Sequence, residues 1–455
     1  MMQLRDLGTW SGGNTPSKAN AAYWTNGTVP WVSPKDMKVD EIISSEDRIT
    51  EVAVSDGRVS LIPEGSVLFV TRSGILSHTF PVAVTKLPVT INQDLKALSP
   101  KAGISPKYVA HAIRGASQRI LKQCSKHGTT VASVETNALL DFEIPIVGID
   151  EQHRIVAEIE KQFSRLDEAV AGLQRVKSNL KRYKAAVLKS AVAGRLVETE
   201  ADLARREGRN YETGAQLLQR ILDTRRSQWQ GKGKYKEPAA PDTTDYPELP
   251  EGWVWASADQ LMSLITDGEH ITPKREAQGV LLLSARNVLN DAISLDDVDY
   301  IPEDEYARIS RRLSIAAGDL LLSCSGSVGR TCVVPQGMRF SLVRSVAVLR
   351  PVLASAQYLC YQLQSPLGQS QINDRKTQTA QANLFQGKIR QLVFALSPLA
   401  EQHRNVAEVD RLLSIAREVE AEVETNLKRA QGLRQAVLRT AFSMQANNNS
   451  SEVMQ

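Results

Sequence analysis

Two long stretches of this chain carry an apolar residue at every seventh position. Ile159, Leu166, Leu173, Leu180 and Val187 mark the first, and Val409, Ala416, Val423, Ala430 and Val437 mark the second. A spacing of seven keeps side chains on one stripe of an α-helix and makes the seam of a coiled coil. A second stripe is predicted to complete it: Val176 and Tyr183 in one stretch, Leu412, Val419 and Leu433 in the other. From Glu151 to about Val192 there is no proline, and the only glycine is Gly172. Such a helix is a rod of roughly 60 Å at 1.5 Å per residue. A rod that is polar on its other faces needs a partner, and the other rod is the obvious one.

Elsewhere the apolar runs are short. Val67–Val70, Pro81–Val84 and Phe142–Ile146 read as strands, with a helix starting at Ser105-Pro106, where proline suits the first turn. Val109, Ile113, Ala116 and Ile120 are its predicted buried face. Later, Leu320–Leu322, Val346–Leu349 and Leu392–Phe394 read as strands, and Ser365-Pro366 as another helix start. A helical patch at Leu217, Leu218, Ile221 and Leu222 follows Thr213 as cap. Beyond it, glycines, lysines and four prolines up to Pro250 read as a flexible polar connector.

The two rods are copies. Glu151-Gln152-His153-Arg154 recurs 250 residues later as Glu401-Gln402-His403-Arg404, and 14 of the 41 positions from 151 to 191 are identical to their counterparts. The repeat continues upstream with less identity: Tyr108 with Tyr358, Lys126 with Lys376, Thr129 with Thr379, Ala132 with Ala382. With small gaps, Gly65–Phe69 resembles Gly318–Leu322 and Thr15-Pro16 resembles Thr272-Pro273. The fold class is therefore mixed α/β: two divergent globular domains on a long antiparallel two-helix coiled coil, with an internal pseudo-two-fold repeat. The boundaries are 1–150 for the first domain, 151–197 for its helical region and 198–247 for a linker with a short helix. The second domain is 248–399, its helical region 400–443, and 444–455 a disordered tail.

Charge sets the direction of the rods. Residues 151–170 hold five acids and three bases, while 174–189 hold six bases and no acid; the second rod has seven acids between Glu401 and Glu424, then Lys428, Arg429, Arg434 and Arg439. Only antiparallel pairing sets the acidic half of each against the basic half of the other. The 455 residues, 42% hydrophobic and 23% charged, describe a globular chain of more than one domain. No apolar stretch approaches the roughly 18 residues of a membrane span, and the amino-terminus has no signal-peptide core. Four scattered cysteines read as reduced thiols of a cytosolic protein. A net charge of +4 permits an anionic partner without demanding one.

Two divergent domains, each followed by Glu-Gln-His-Arg-x-Val-Ala-Glu and a long helix ending in Ala-Val-Leu, resemble the DNA-specificity subunit of type I restriction–modification enzymes. Leu249-Pro250-Glu251-Gly252-Trp253 and the two Thr-Pro pairs resemble the starts of that family's target-recognition domains. Ser397-Pro398-Leu399-Ala400-Glu401-Gln402 resembles the approach to its helical regions. The first copy departs, with Ile146-Val147-Gly148-Ile149-Asp150 before Glu151 and no Leu-Pro-Glu-Gly-Trp at the amino-terminus. The resemblance implies a non-catalytic subunit of a bacterial or archaeal cytoplasmic complex, with no membrane association. Each domain would read one half of a bipartite, asymmetric site in double-stranded DNA. The helical regions would hold two methyltransferase subunits, which use S-adenosylmethionine to methylate adenine at N6. Translocase–endonuclease subunits, which use ATP and magnesium, would join them. The chain itself would bind none of these cofactors and no metal.

The residues agree with that lack of chemistry. There is no Pro-Pro-Tyr, no phosphate-binding GxxxxGK[ST] and no HExxH. Gly326-Ser327-Val328-Gly329 reads as a turn rather than an RNA clamp. The duplicated setting of Glu151, Gln152, His153 and Arg154, and of Glu401, Gln402, His403 and Arg404, points to capping or partner docking rather than metal or acid–base work. DNA contacts call for Lys and Arg on phosphates and Arg, Lys, Asn or Gln on base edges. The candidates in polar loops are Lys35, Arg72, Ser73, Lys126 and His127 in the first domain. In the second they are Lys274, Arg275, Arg286, Asn287, Arg330, Arg375 and Lys376. The alternative reading of the same pattern is a coiled-coil scaffold presenting two modules to proteins; a self-contained nuclease or methylase is disfavoured by the missing motifs.

Overall fold

The computed structural model describes residues 1–126, 131–231, 233–377 and 382–452, with side chains as far as residue 443. It has two compact units, Met1–Arg175 with Val423–Gln455, and Val176–Glu422. Among the described residues no helix is long and apolar enough to cross a membrane.

The first unit is built on a five-stranded sheet in the order Gly8–Gly12, Leu95–Pro100, Val67–Val70, Val82–Thr85, Glu41–Ile42. Val67–Val70 and Val82–Thr85 are buried at every position, which is why they read as near-continuous apolar runs instead of alternating. Among the described residues the unit's other strands are a three-stranded sheet of Asp47–Ile49, Val29–Val32 and Thr90–Ile91 and a two-residue pairing of Met2–Gln3 with Glu143–Ile144. The closing strand predicted over 142–146 thus pairs over only two residues. The helix at Ser105-Pro106 starts where the sequence places it, with Ser105 Oγ accepting from the Tyr108 N–H. It stops at Gly115, and a second helix spans Ser117–Cys124; the predicted face is shared between them, with Val109, Ile113 and Ile120 fully buried.

The second unit repeats this plan. Met262–Asp267, Val346–Pro351, Leu320–Ser323 and Thr331–Val333 form a four-stranded sheet, and Asp299–Ile301, Val280–Leu283 and Phe340–Leu342 a three-stranded one. Val254–Ser257 pairs with Val393–Leu396 over four residues, where the first unit has two. The repeat extends to single hydrogen bonds at the same offset of 250. Tyr108 donates to the Pro145 carbonyl at 3.0 Å, and Tyr358 to the Ala395 carbonyl at 2.9 Å.

Both long helices, Ile149–Val192 and Leu399–Glu452, run through both units. In the first unit Ile155, Val156, Ile159 and Phe163 share a core with Leu438 and Phe442, Arg434 lies 4.9 Å over the Phe163 ring, and Arg434 pairs with Asp167. In the second, Val187, Leu188 and Ala191 pack with Val409 and Leu413, and Lys184 pairs with Glu420. In each unit rising numbers on one helix meet falling numbers on the other, so the pair is antiparallel, acids against bases. All ten positions of the seven-spaced stripe are buried or half-buried. The second stripe is different from expectation: Val176, Tyr183, Val419 and Leu433 are exposed. Two helices share one contact face, and Phe163, Leu188, Leu413 and Leu438 take the places beside it.

The first long helix stops at Gly194, which is left-handed at φ +64°; the Arg195 N–H returns to the Ser190 carbonyl at 2.9 Å. Helices Glu200–Glu207 and Gly214–Ser227 follow. The second has the Thr213 cap read from sequence, closed into a capping box by Gln216, and buries Leu217 and Ile221. The first was not legible, because eight residues with a single apolar turn show no period. Within the linker predicted over 198–247, residues 200–227 thus hold two helices rather than one, and the glycine- and proline-rich stretch read as the connector lies beyond them. The second long helix is described to Glu452, through the Asn447–Ser451 stretch whose composition suggests disorder.

Candidate nucleic-acid interface

In the first unit the central strand Val67–Val70 runs out into Thr71-Arg72-Ser73-Gly74. This loop is stapled to residues 132–134: the Val134 N–H donates to Thr71 O at 2.8 Å, Arg72 and Ser133 form an antiparallel bridge, and the Ser73 N–H donates to Ala132 O at 3.0 Å. Lys126 joins through its own N–H to Ser133 O at 2.9 Å. Arg72, Ser73 and Lys126 are thus brought together. An open cleft is lined by Pro34, Arg72, Ser73, Gly74, Asp94 and Ser133, with Val131. Arg72 is held by Asp94 at 2.7 Å and stays exposed, a cation fixed in direction but open to an anion. Lys35, next to Pro34, pairs with Asp47 at 2.9 Å and Glu46 at 3.2 Å; the hydrogen bond to Asp47 leads in raising its pKa. Lys126 reaches Glu135 at 3.7 Å. His127 lies outside the described residues.

The second unit builds the same staple. Leu320–Ser323 runs into Cys324-Ser325; the Leu384 N–H donates to Cys324 O at 2.9 Å, and Ser325 bridges Asn383. Ser325 therefore stands where Arg72 stands in the first unit. The adjoining cleft is lined by Glu269, His270, Arg275, Ser325, Arg344 and Asn383, among others. Of the candidates read from sequence, Arg275 lines it, braced by Asp299 at 3.2 Å. Lys274 is exposed and pairs with Glu276 at 3.2 Å. Arg286 is held between Asp297 and Asp299. Arg330 is half-buried. Arg375 donates to the Gln371 carbonyl at 3.2 Å, and Lys376 to Asn373 Oδ1 at 2.7 Å.

Asn287 is a correction. It is 1% exposed, its amide donates to the carbonyls of Ser294 and Asp297, and its oxygen accepts from the Ser284 N–H. A side chain so committed holds its own loop and cannot reach a base. Sequence reasoning missed Arg344 and Phe385, both exposed at the second cleft. Arg344 follows a strand in the ordinary way, and Phe385 sits beyond the repeated 376–382 region; neither is flagged by pattern.

The repeated helix starts divide in the same way. Gln152 and Gln402 are fully buried. Gln152 accepts from the Ser105 N–H at 2.8 Å and donates to Val147 O at 2.8 Å; Gln402 accepts from the Ser355 N–H at 2.9 Å and donates to Ser397 O at 2.8 Å. Both glutamines clamp their own domain to its helix, so they offer no surface for docking. Glu401 is buried as well, accepting from the Glu200 N–H and from Trp253 Nε1, and burial pushes its carboxyl pKa up. Arg404 pairs with Glu200 at 2.6 Å. His153, Arg154 and His403 are exposed, and Glu151 is half-buried against Arg154. Among the described residues no group of three or more His, Cys, Asp and Glu is gathered as metal ligands would be. All four cysteines are buried and unpaired, with Cys324 and Cys332 pushed up to about 12 by burial.

Comparison with known proteins places this geometry. Residues 1–175 match the family model described as type I restriction modification DNA specificity domain. The specificity subunit of the Escherichia coli type I restriction enzyme EcoR124I/EcoR124II is 43% identical over 172 residues, which are 38% of this chain and 43% of that protein. The Escherichia coli EcoBI specificity subunit is 22% identical over 366 residues, 78% of this chain and 69% of that one. The chain thus spans less than half the length of the first of these relatives. A chain from a solved structure concerned with complex assembly and conformational transition of the type I R-M system shares the fold, at a TM-score of 0.61 and 19% identity. The match covers 97% of this chain and 96% of that chain. Residues 1–175 are similar to the type I restriction modification DNA specificity domain, and the chain as a whole resembles the specificity subunits of type I restriction enzymes.

Proposed function

We propose that this chain is a non-catalytic DNA-specificity subunit, each of whose domains reads one half of a bipartite, asymmetric site in double-stranded DNA. The observation that carries the reading is the repeated staple. In both units a strand-end loop is fixed by backbone bonds to the segment at 132–134 or 382–384, and each unit has a polar cleft beside it. A fixed backbone with unlike side chains, Arg72 in one unit and Ser325 in the other, is what two readers of different half-sites require. The helical regions dock adenine-N6 methyltransferase subunits; S-adenosylmethionine, ATP and magnesium belong to those subunits and to the translocase–endonuclease. The exposed Val176, Tyr183, Ile415 and Val419 on the helices give such partners apolar surface in the second unit.

The test is the salt dependence of duplex binding by the chain with its methyltransferase. Arg72→Ala and Lys376→Ala should each weaken binding, and removing one cation from a phosphate should lower the slope of log K against log salt by about one. Salt-independent binding, or none, would favour the protein-scaffold alternative.

A further inference from the structure

The two copies of the helix start are finished differently. In the second unit the chain leaving the first long helix turns at Gly194 and lies back over it. Leu196 packs with Val187, Leu188, Ala191, Val409 and Leu413. Glu200, at the first turn of the next helix, gives its N–H to Glu401 at 2.9 Å and its carboxylate to Arg404 at 2.6 Å. Burial raises the Glu200 carboxyl, but Arg404 and Arg209 outweigh it and hold the pKa below its ordinary value. Arg404 is left 35% exposed.

At the same offset of 250, the first unit has the same platform, without that cover among the described residues. An open groove is lined by Ile155, Ile159, Val437 and Ala441 together with Glu151 and Arg154. These match Asn405, Val409, Val187, Ala191, Glu401 and Arg404. Arg154 is 78% exposed, engaged only by Glu151 among the ion pairs of the described residues. The turning device is missing too: Met444 stands where Gly194 stands, and the helix continues to Glu452 instead of folding back.

We propose that this groove of the first unit is a docking site for a helix start on another protein chain, one carrying a leucine four residues ahead of a first-turn glutamate, as Leu196 and Glu200 do. The glutamate engages Arg154, and the leucine enters between Ile159 and Ala441. The lining balances Glu151 and Glu158 against Arg154 and Lys161, so it lacks the net positive charge that would draw nucleic acid. The inference deepens the partner-docking half of the proposed function: one docking groove is filled by the chain's own residues 195–207, and the other is left for a partner.

The experiment uses the full chain and a labelled peptide of its own residues 195–209, read by fluorescence anisotropy. Saturable binding is expected, weakened about tenfold by Arg154→Glu, as loss of an interfacial charge pair should do. A peptide carrying Glu200→Arg should recover binding to the Arg154→Glu chain. No saturable binding, or binding that ignores both charge changes, overturns the proposal. So does a dimer of the chain alone that dissociates on Arg154→Glu, which would put a second copy in the groove. Co-purification separates this from the broader reading. A methyltransferase subunit retained equally by the native and Arg154→Glu chains sinks the groove assignment and leaves docking intact. One retained by neither sinks docking itself.

Discussion

At the scale of single residues, the repeat separates what holds the fold from what is free to act. Gln152 and Gln402 have the same donors and acceptors 250 residues apart, and no exposed surface. Gln152→Ala should leave the Ser105 N–H buried without an acceptor and cost about 1–3 kcal/mol in denaturant unfolding of the first unit. A loss of a few tenths would show the clamp is dispensable. His111 makes a second case. It is buried edge-on to Phe163 at 5.8 Å, and burial, then Arg114, lowers its pKa to about 4. A neutral histidine in the fold adds stability above its ordinary value of 6.5, and that stability is lost as pH falls towards about 4. At pH 5 the loss is on the order of 2 kcal/mol. The counterpart is Tyr361, bonded to Asp410, and position 410 corresponds to Glu160. His111→Tyr should therefore flatten the drop in melting temperature between pH 7 and pH 5; an unchanged drop would assign it to other groups.

At the scale of elements, the long helices were the most legible part of the sequence, because forty residues of period seven and a polarised charge pattern point the same way. Their antiparallel direction follows from charge, yet packing carries most of the stability: Ile159, Phe163, Val187, Val409 and Leu438 are buried, while Lys184 with Glu420 and Arg434 with Asp167 are partly exposed pairs. Such pairs contribute up to about 1 kcal/mol each. Lys184→Glu should lower the melting temperature at low salt and much less at high salt, and Glu420→Lys in the same chain should restore it. A salt-independent loss would mean packing damage instead. The helix Glu200–Glu207 escaped the sequence reading for the opposite reason: it is short, polar, and held by Arg404 and Glu401, which lie 200 residues away. Asn287 escaped because a loop asparagine reads the same whether it faces solvent or ties its own backbone.

At the scale of the whole molecule, one chain carries two versions of a single module, alike in backbone and unlike in the side chains at the strand-end loop, as the proposed readers of two half-sites would be. The module's existence was visible in the repeated Glu-Gln-His-Arg and Tyr108/Tyr358. The surface proposed for it was visible only in part, since Arg72, Ser73 and Arg275 fall at the clefts while Arg344 and Phe385 carry no pattern. The most direct test of two independent readers is methylation mapping in cells that express this chain with its methyltransferase, before and after residues 1–150 are exchanged for the matching region of a relative. The native chain should mark a split, asymmetric motif, and the exchange should rewrite one half while the other half stays as it was. A single unbroken motif, or both halves changing at once, would contradict the account.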